Sequence, residues 1–523
     1  MRSSVIGFTD RSHQRVRSLP SIILALSPVF AVGVAHAQAP VAVRTTVAPD
    51  TIFQATRAEI MGLVEAGEIP SMVVAVARGG TIIWEEAFGW ADRESEIAAT
   101  PGTVYPVGSL SKSITATGIM VLVERGVIGL DDPVTAFLPE STLKVYEGDR
   151  EAVTIRRVLN MSAGIPHGWA NYGNAFAPPK IQEYLADAGI VVFPPGAEQL
   201  YSNNAYGVLE AVIAAASGRD FAEFIESEVF GPLGMSGSSA RLTPDLLATA
   251  ASRYGTDRLR LTHDQSEFVP LGGAGMYASV HDLIRYGMFH LKNSVPDQEP
   301  VLSDEALDRM HFTKDPRHPD GIIAMGWGSV ELESGHRWLI SNGSIGGANS
   351  MLTLLPDDDL AVAVLTNFTS SSLADETAVR IADGAVPGFA EGVGRFIGAF
   401  EAARAPRPFE PNSALIGSWG GVLLNRGTEI PVLLSILHDG SMMVQVAAQS
   451  KVQIGEATTR GDNIEADFRG RIPGHQHFGQ DHDMHLTLRH DGERLYGFLS
   501  SRTETEFGSL SIPFYVRLTK AKP

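Results

Sequence analysis

The sequence predicts an α+β chain in two parts. A large domain of antiparallel sheet flanked by helices is followed by a small all-β, barrel-like domain. Three observations predict it. Residues 72–77 and 81–88 are short apolar runs separated by Arg78-Gly79-Gly80, a hairpin signal. Residues 351–355 and 360–365 form a second pair of runs around Pro356-Asp-Asp-Asp359, after several stretches of helical periodicity. From Leu415 onward the helical pattern gives way to short strands at close spacing, as in a small barrel or sandwich.

The chain has 523 residues, enough for two or three domains. Its formal net charge is -19 and it has no basic stripe with interleaved aromatics, so no nucleic-acid partner is expected. It has no cysteine, which excludes disulfides, a thiol nucleophile, thiolate metal sites and a lipidated N-terminal cysteine. Any covalent chemistry must use oxygen or nitrogen.

Residues 1–37 read as a secretion signal. Arg2, Arg11, Arg15 and Arg17 precede an apolar stretch, 19–34, and Ala35-His-Ala37 supplies small residues for cleavage. Pro20 and Pro28 interrupt the apolar stretch, which is too short and broken for a good membrane span. The expectation is a periplasmic or secreted bacterial protein with no stable membrane anchor once the signal is removed. An uncleaved anchor is the alternative. The expected divisions are 38–400 for the large domain, 401–414 for a linker around Ala405-Pro-Arg-Pro408, and 415–523 for the β-domain.

Within the large domain, 52–67 has helical spacing and closes at Gly67. The predicted hairpin comes next, and then Ser109 and Lys112 enter an apolar helical run, 114–125. A helix starting near Ser109 puts both side chains on one face, one turn apart. The lysine amine can then accept the serine proton, and the helix N-terminus favours negative charge there. Those are the requirements of an activated alcohol nucleophile. Ser141 and Lys144 share the spacing but lie in a loop with no apolar helix behind them. The spacing alone is a weak signal, and it gains weight from two further motifs downstream in the chain.

Residues 166–180 are rich in Gly, Pro, Asn and aromatics and read as a substrate entrance. Phe193-Pro-Pro-Gly196 makes a turn, and Tyr201 and Asn203 stand before a helix, 205–216. A phenol near a lysine is expected to have a lowered pKa and to pass protons. Asn203 offers a donor and an acceptor for an amide. Tyr172 and Asn174 repeat the spacing in the entrance loop, with no helix after them. The glycine-rich stretch 271–279 either lines a site or makes a tight strand-to-helix turn. A strand edge ending in Asn342-Gly343-Ser344 can aim backbone N–H groups at an anionic oxygen, with Gly343 allowing close approach.

The order Gly-Ser-x-x-Lys at 108–112, Tyr-x-Asn at 201–203, then a glycine-bearing strand before paired strands resembles the serine β-lactamase-related family. That family includes class C β-lactamases, D,D-carboxypeptidases, D-aminopeptidases and carboxylesterases. The resemblance runs over about 52–380 and extends to 159–166, Gly272-Gly-Ala-Gly275 and Met325-Gly-Trp327. It implies a β-lactamase/transpeptidase-like fold, Ser109 as acylated nucleophile, Lys112 as base, Tyr201 as proton-transfer partner and Asn203 as a substrate-amide ligand. The oxyanion hole would use the backbone N–H groups of Ser109 and Ser344. Where relatives carry Lys or His, this chain has Ser341, which weakens carboxylate binding and suits esters, or peptides held by other contacts. His336 is nearby in sequence and reads as a surface residue.

Residues 381–402 are helix-prone. The C-terminal strands resemble the lipocalin-like domains appended to D-aminopeptidases and related hydrolases. Such a domain would cover the entrance, position substrate or support a homo-oligomer; a stabilising appendage fits equally. His475, His477, His482, His485 and His490, with Asp481 and Asp483, match no closed zinc pattern, and neither metal nor cofactor is expected.

Taken together, the expected function is a secreted serine hydrolase that forms an acyl-enzyme on Ser109. The first expectation is a peptidase or amidase acting on small or linear peptides, including D-residue or linearised cyclic ones. A carboxylesterase is the alternative, and after it a β-lactamase and a penicillin-recognising sensor that does not turn over.

Overall fold

The glycine pair that marks the first hairpin has positive φ, 58° at Gly79 and 70° at Gly80, and turns strand Ser71–Arg78 into strand Thr81–Asp92. A computed structural model describes residues 42–173, 178–261, 267–313, 318, 322–370, 372–425, 427–473, 481–505 and 508–521. The expected signal, 1–37, and Asn174, His475 and His477 lie outside the described residues.

The hairpin belongs to an antiparallel sheet. Its main path runs Val43–Val47, Thr81–Asp92, Ser71–Arg78, Leu360–Thr366, Ala348–Leu355, Arg337–Ile345 and Gly328–Glu331. The two central strands are buried almost throughout, because helices Val280–His290 and Leu373–Ala385 pack on Leu360–Thr366. This is why these strands read as continuous apolar runs rather than alternating ones. Helices Ser111–Glu124 and Asn203–Ser217 pack against each other and are buried on nearly every side. A helix that is apolar all round belongs inside a core, and these two carry the polar groups of the site.

The C-terminal part is a curled antiparallel sheet. Its long strands are His482–His490, Arg494–Thr505 and Gly508–Lys520, continued in the sheet by Gly417–Asn425 and Thr428–Ile436. Leu423, Leu434, Leu486, Leu499 and Leu518 fill its interior and leave about 10 Å³, room for one water at most. Among the described residues this interior is a packed core. Regular structure reaches into the expected 401–414 linker. Helix Phe389–Arg404 runs into it, and Arg407–Pro408 pairs with Thr458–Arg460 as an edge of the C-terminal sheet.

The two parts are joined through the sheet. Strand Gly508–Lys520 also pairs with Trp169–Tyr172 of the entrance segment, which in turn pairs with Glu267–Val269. Beside it, Tyr146 stacks on Tyr515 with ring centroids 4.4 Å apart. Glu147 is buried and accepts two hydrogen bonds from Arg494, at 2.8 and 2.9 Å, and one from the Tyr515 hydroxyl. Removing one member of such a pair strands the other. Arg494→Ala is therefore expected to destabilise the protein by about 3 kcal/mol, read as a lower urea midpoint.

Candidate active site

Ser109 stands in a 3-10 turn, Gly108–Leu110, and the α-helix begins at Ser111 rather than at Ser109. The three-residue spacing still brings Lys112 Nζ within 3.1 Å of Ser109 Oγ. Ser111 Oγ donates to Gly108 O at 2.7 Å and Ser113 Oγ to Leu110 O at 2.9 Å, which fixes the turn on the helix. Tyr201 arrives from the segment just before the helix Asn203–Ser217. Its hydroxyl lies 2.6 Å from Ser109 Oγ and 2.8 Å from Lys112 Nζ. Ser202 then caps that helix by accepting from Ala205 N at 3.0 Å.

Two further partners decide the state of Lys112. Asn203 Oδ1 lies 2.5 Å and Gly273 O 2.6 Å from Nζ, and both can only accept. A neutral amine has two N–H groups for these two carbonyls and one lone pair left for the hydroxyls of Ser109 and Tyr201. Lys112 is buried, and burial holds its pKa well below the ordinary lysine value. The amine is therefore arranged as a proton acceptor. His167 Nδ1 accepts from Asn203 N at 3.2 Å, and its ring lies 5.4 Å from that of Tyr201. Burial depresses His167 to about 3, so it stays neutral.

The expected lowering of the Tyr201 pKa is overturned. Burial raises it well above the ordinary phenol value, and the hydrogen bond with Ser109 only partly opposes this. The expectation treats Lys112 as a cation, but the same desolvation that penalises phenolate also penalises ammonium. Tyr201 is a neutral phenol that can give one proton while taking another.

The strand Arg337–Ile345 closes the site. Ser341 Oγ donates to Ser113 Oγ at 2.9 Å. A Cβ on Gly343 would lie 1.9 Å from Val107 O and 2.6 Å from Ser109 N, so only glycine lets this strand touch the nucleophile's turn. A Cβ on Gly108 would lie 2.9 Å from Ser344 N, which puts the Ser109 and Ser344 backbones on facing segments. Gly343→Ala is expected to push the turn away, costing about 3 kcal/mol as overpacking does and abolishing Ser109 labelling. Urea denaturation and a serine-reactive probe read the two effects.

Ser109, Lys112, Tyr201 and Ser341 line one cavity of about 30 Å³, with Met161, Ile323, Trp327 and Ile340 as apolar walls. Gly273, His167 and Ser113 were not singled out in the sequence as site residues. The glycine-rich stretch 271–279, read as lining or turn, reaches the site through its backbone. The short helix Leu271–Ala274 delivers the Gly273 carbonyl to Lys112. The other candidates fall elsewhere. Ser141 is exposed, and Tyr172 is held in a strand between Gly508 and Glu267. His336 pairs with Asp358 at 2.8 Å. His485 pairs with Asp467 at 2.7 Å, and His490 packs edge-on against Trp419. No cluster of His, Asp or Glu able to hold a metal occurs among the described residues, nor a helix long and apolar enough to cross a membrane.

Comparison with known proteins decides the family to which this geometry belongs. Residues 56–386 match the Beta-lactamase family. The chain belongs to it. Penicillin-binding protein 4* of Bacillus subtilis (strain 168) is 32% identical over 207 residues, 38% of this chain and 44% of that protein, so the chain spans less than half of this relative's length. The solved structure of SurE with D-Leu superposes with a TM-score of 0.57 at 22% identity, covering 90% of this chain and 99% of that one. The octameric penicillin-binding protein homologue from Pyrococcus abyssi gives 0.52 at 21% identity, covering 88% and 99%. These likenesses show the fold: a β-lactamase/transpeptidase-like domain, with its sheet flanked by helices, and after it a curled antiparallel sheet. This β-lactamase-family chain is thus a member of a family of serine hydrolases.

Proposed function

We propose that the protein is a secreted serine hydrolase that forms an acyl-enzyme on Ser109 and acts on small or linear peptides, D-residue and linearised cyclic peptides among them. The observation that carries this is the buried Lys112 Nζ, which lies within hydrogen-bond distance of Ser109 Oγ, the Tyr201 hydroxyl, Asn203 Oδ1 and Gly273 O. Lys112 takes the Ser109 proton as Oγ attacks the substrate carbonyl. The oxyanion is held by the N–H groups of Ser109 and Ser344. Tyr201 gives its proton to the leaving nitrogen and receives one from the Lys112 ammonium, which restores the amine. Water then repeats the sequence in reverse and frees the acid. Asn203 spends its carbonyl on Lys112 and offers substrate only its amide N–H.

The D-residue reading is supported by the D-Leu in the solved SurE structure. Secretion is supported by the composition of residues 1–37. Assembly of several copies is supported by the octameric state of the Pyrococcus homologue. A carboxylesterase is the second reading, favoured by the uncharged Ser341. The test is mass spectrometry of the protein during turnover of p-nitrophenyl esters, L- and D-amino-acid anilides, linear peptides and nitrocefin. A transient Ser109 adduct with peptide cleavage is the expected result. Cleavage of esters alone moves the reading to carboxylesterase, and a permanent adduct makes the protein a penicillin-recognising sensor.

A further inference from the structure

We infer that Ser341 is a specificity-determining residue that offers the substrate a hydrogen-bond acceptor, so that the site selects an uncharged group bearing an N–H donor beside the scissile bond and rejects a carboxylate there. The inference deepens the acyl-enzyme reading and takes Ser109 as the reacting centre from it.

Hydrogen-bond direction decides which way Ser341 faces. Ser113 Oγ lies 2.9 Å from Leu110 O, a carbonyl that can only accept, so the single Ser113 proton points there. Ser341 Oγ lies 2.9 Å from Ser113 Oγ, and that contact then needs the Ser341 proton. The network behind is closed to water. Ser113, Thr117 and Tyr286 are all fully buried. Thr117 Oγ1 donates to Ser113 O at 3.0 Å and lies 2.9 Å from the Tyr286 hydroxyl, which also bonds to Ser113. With its proton turned inward, Ser341 presents lone pairs to the cavity it lines.

The charge of the lining points the same way. Among the described residues, Lys112 is the one basic side chain in the cavity wall, and its two N–H groups are committed to Asn203 and Gly273. A carboxylate brought against Ser341 would lose its water, meet no cation other than Lys112 among the described residues and face an oxygen lone pair. An amide N–H in the same place would complete a hydrogen bond.

The test is binding, so that it does not depend on turnover. A panel of acetylated dipeptides with L- and D-residues is made in three C-terminal forms: carboxamide, methyl ester and free carboxylate. Calorimetry on the Ser109→Ala protein gives the affinity of each. The carboxamide is expected to bind best, the ester less well and the carboxylate at least about tenfold more weakly than the carboxamide. Adding Ser341→Ala should bring the carboxamide down to the level of the ester. Adding Ser113→Ala frees the Ser341 proton and should narrow the gap between carboxamide and carboxylate. Equal or tighter binding of the carboxylate overturns the inference, as does a Ser341→Ala change that leaves the three ratios intact, or no binding by any form. Labelling of the wild-type protein by a fluorophosphonate is run alongside. Its absence would overturn the acyl-enzyme reading whatever the binding order, so the two failures are separable.

Discussion

Ser109→Ala is expected to lose all covalent labelling by a serine-reactive probe and to slow turnover by roughly 10⁴-fold or more, as removal of a catalytic nucleophile does. The fold should survive, because the substitution orphans no buried group. Without the hydroxyl, Lys112 keeps Asn203 Oδ1 and Gly273 O, and Tyr201 keeps Lys112. The denaturation midpoint should therefore move little, and any loss of activity is a loss of chemistry. Ser141→Ala, at the other Ser-x-x-Lys spacing, should change neither quantity, since Ser141 is exposed and outside the cavity. Intact-protein mass spectrometry reads the labelling, and a label that persists on the Ser109→Ala protein would sink the assignment.

What the sequence made legible was mostly local. Gly79 and Gly80 announce a turn whatever surrounds them, and an apolar helix after Ser109 places Lys112 one turn away. The paired runs around Pro356 to Asp359 likewise form strands Ala348–Leu355 and Leu360–Thr366. The missed features join segments far apart in the chain. Gly273 meets Lys112 across 161 residues, and Ser113 meets Ser341 across 228. Neither residue type is distinctive by itself: a glycine carbonyl and a helix serine carry no pattern. The sign of the Tyr201 shift failed for a related reason. Charge proximity can be guessed from a motif, but desolvation depends on how completely two helices and a sheet edge exclude water. The packed interior of the C-terminal sheet is another such property, since alternating strands describe a filled barrel and a hollow one equally well.

Lys112→Met is expected to slow acylation by about 10²- to 10⁴-fold, the usual worth of a general base, with a pH dependence that identifies the amine. In the native protein the Lys112 pKa is depressed, so acylation should fall as acid converts the amine to ammonium, and hold above that point. The same shift governs stability. Below the unfolded value of 10.5 the free lysine carries a proton, while the folded one, above its depressed pKa, does not. The unfolded state then binds one more proton, so Lys112 contributes a rise in stability with pH throughout that window, by about 1.4 kcal/mol per pH unit. The Met variant has no such proton to lose, and its stability curve should lack this slope. Within that window two effects oppose each other. Methionine removes the cost of deprotonating a lysine, but it leaves Asn203 Oδ1 and Gly273 O without a donor, at about 1–3 kcal/mol each. The absolute midpoint is therefore a poor diagnostic and the slope a good one. Burial also depresses His167 and His311 to about 3 and raises Glu210 to about 8; both proteins share those slopes, the Glu210 one with the opposite sign, so the difference between the two curves isolates Lys112. Urea unfolding of the two proteins between neutrality and pH 10 measures the difference directly. Parallel curves would mean that Lys112 is an ammonium in the folded protein, and Ser109 would then need another base.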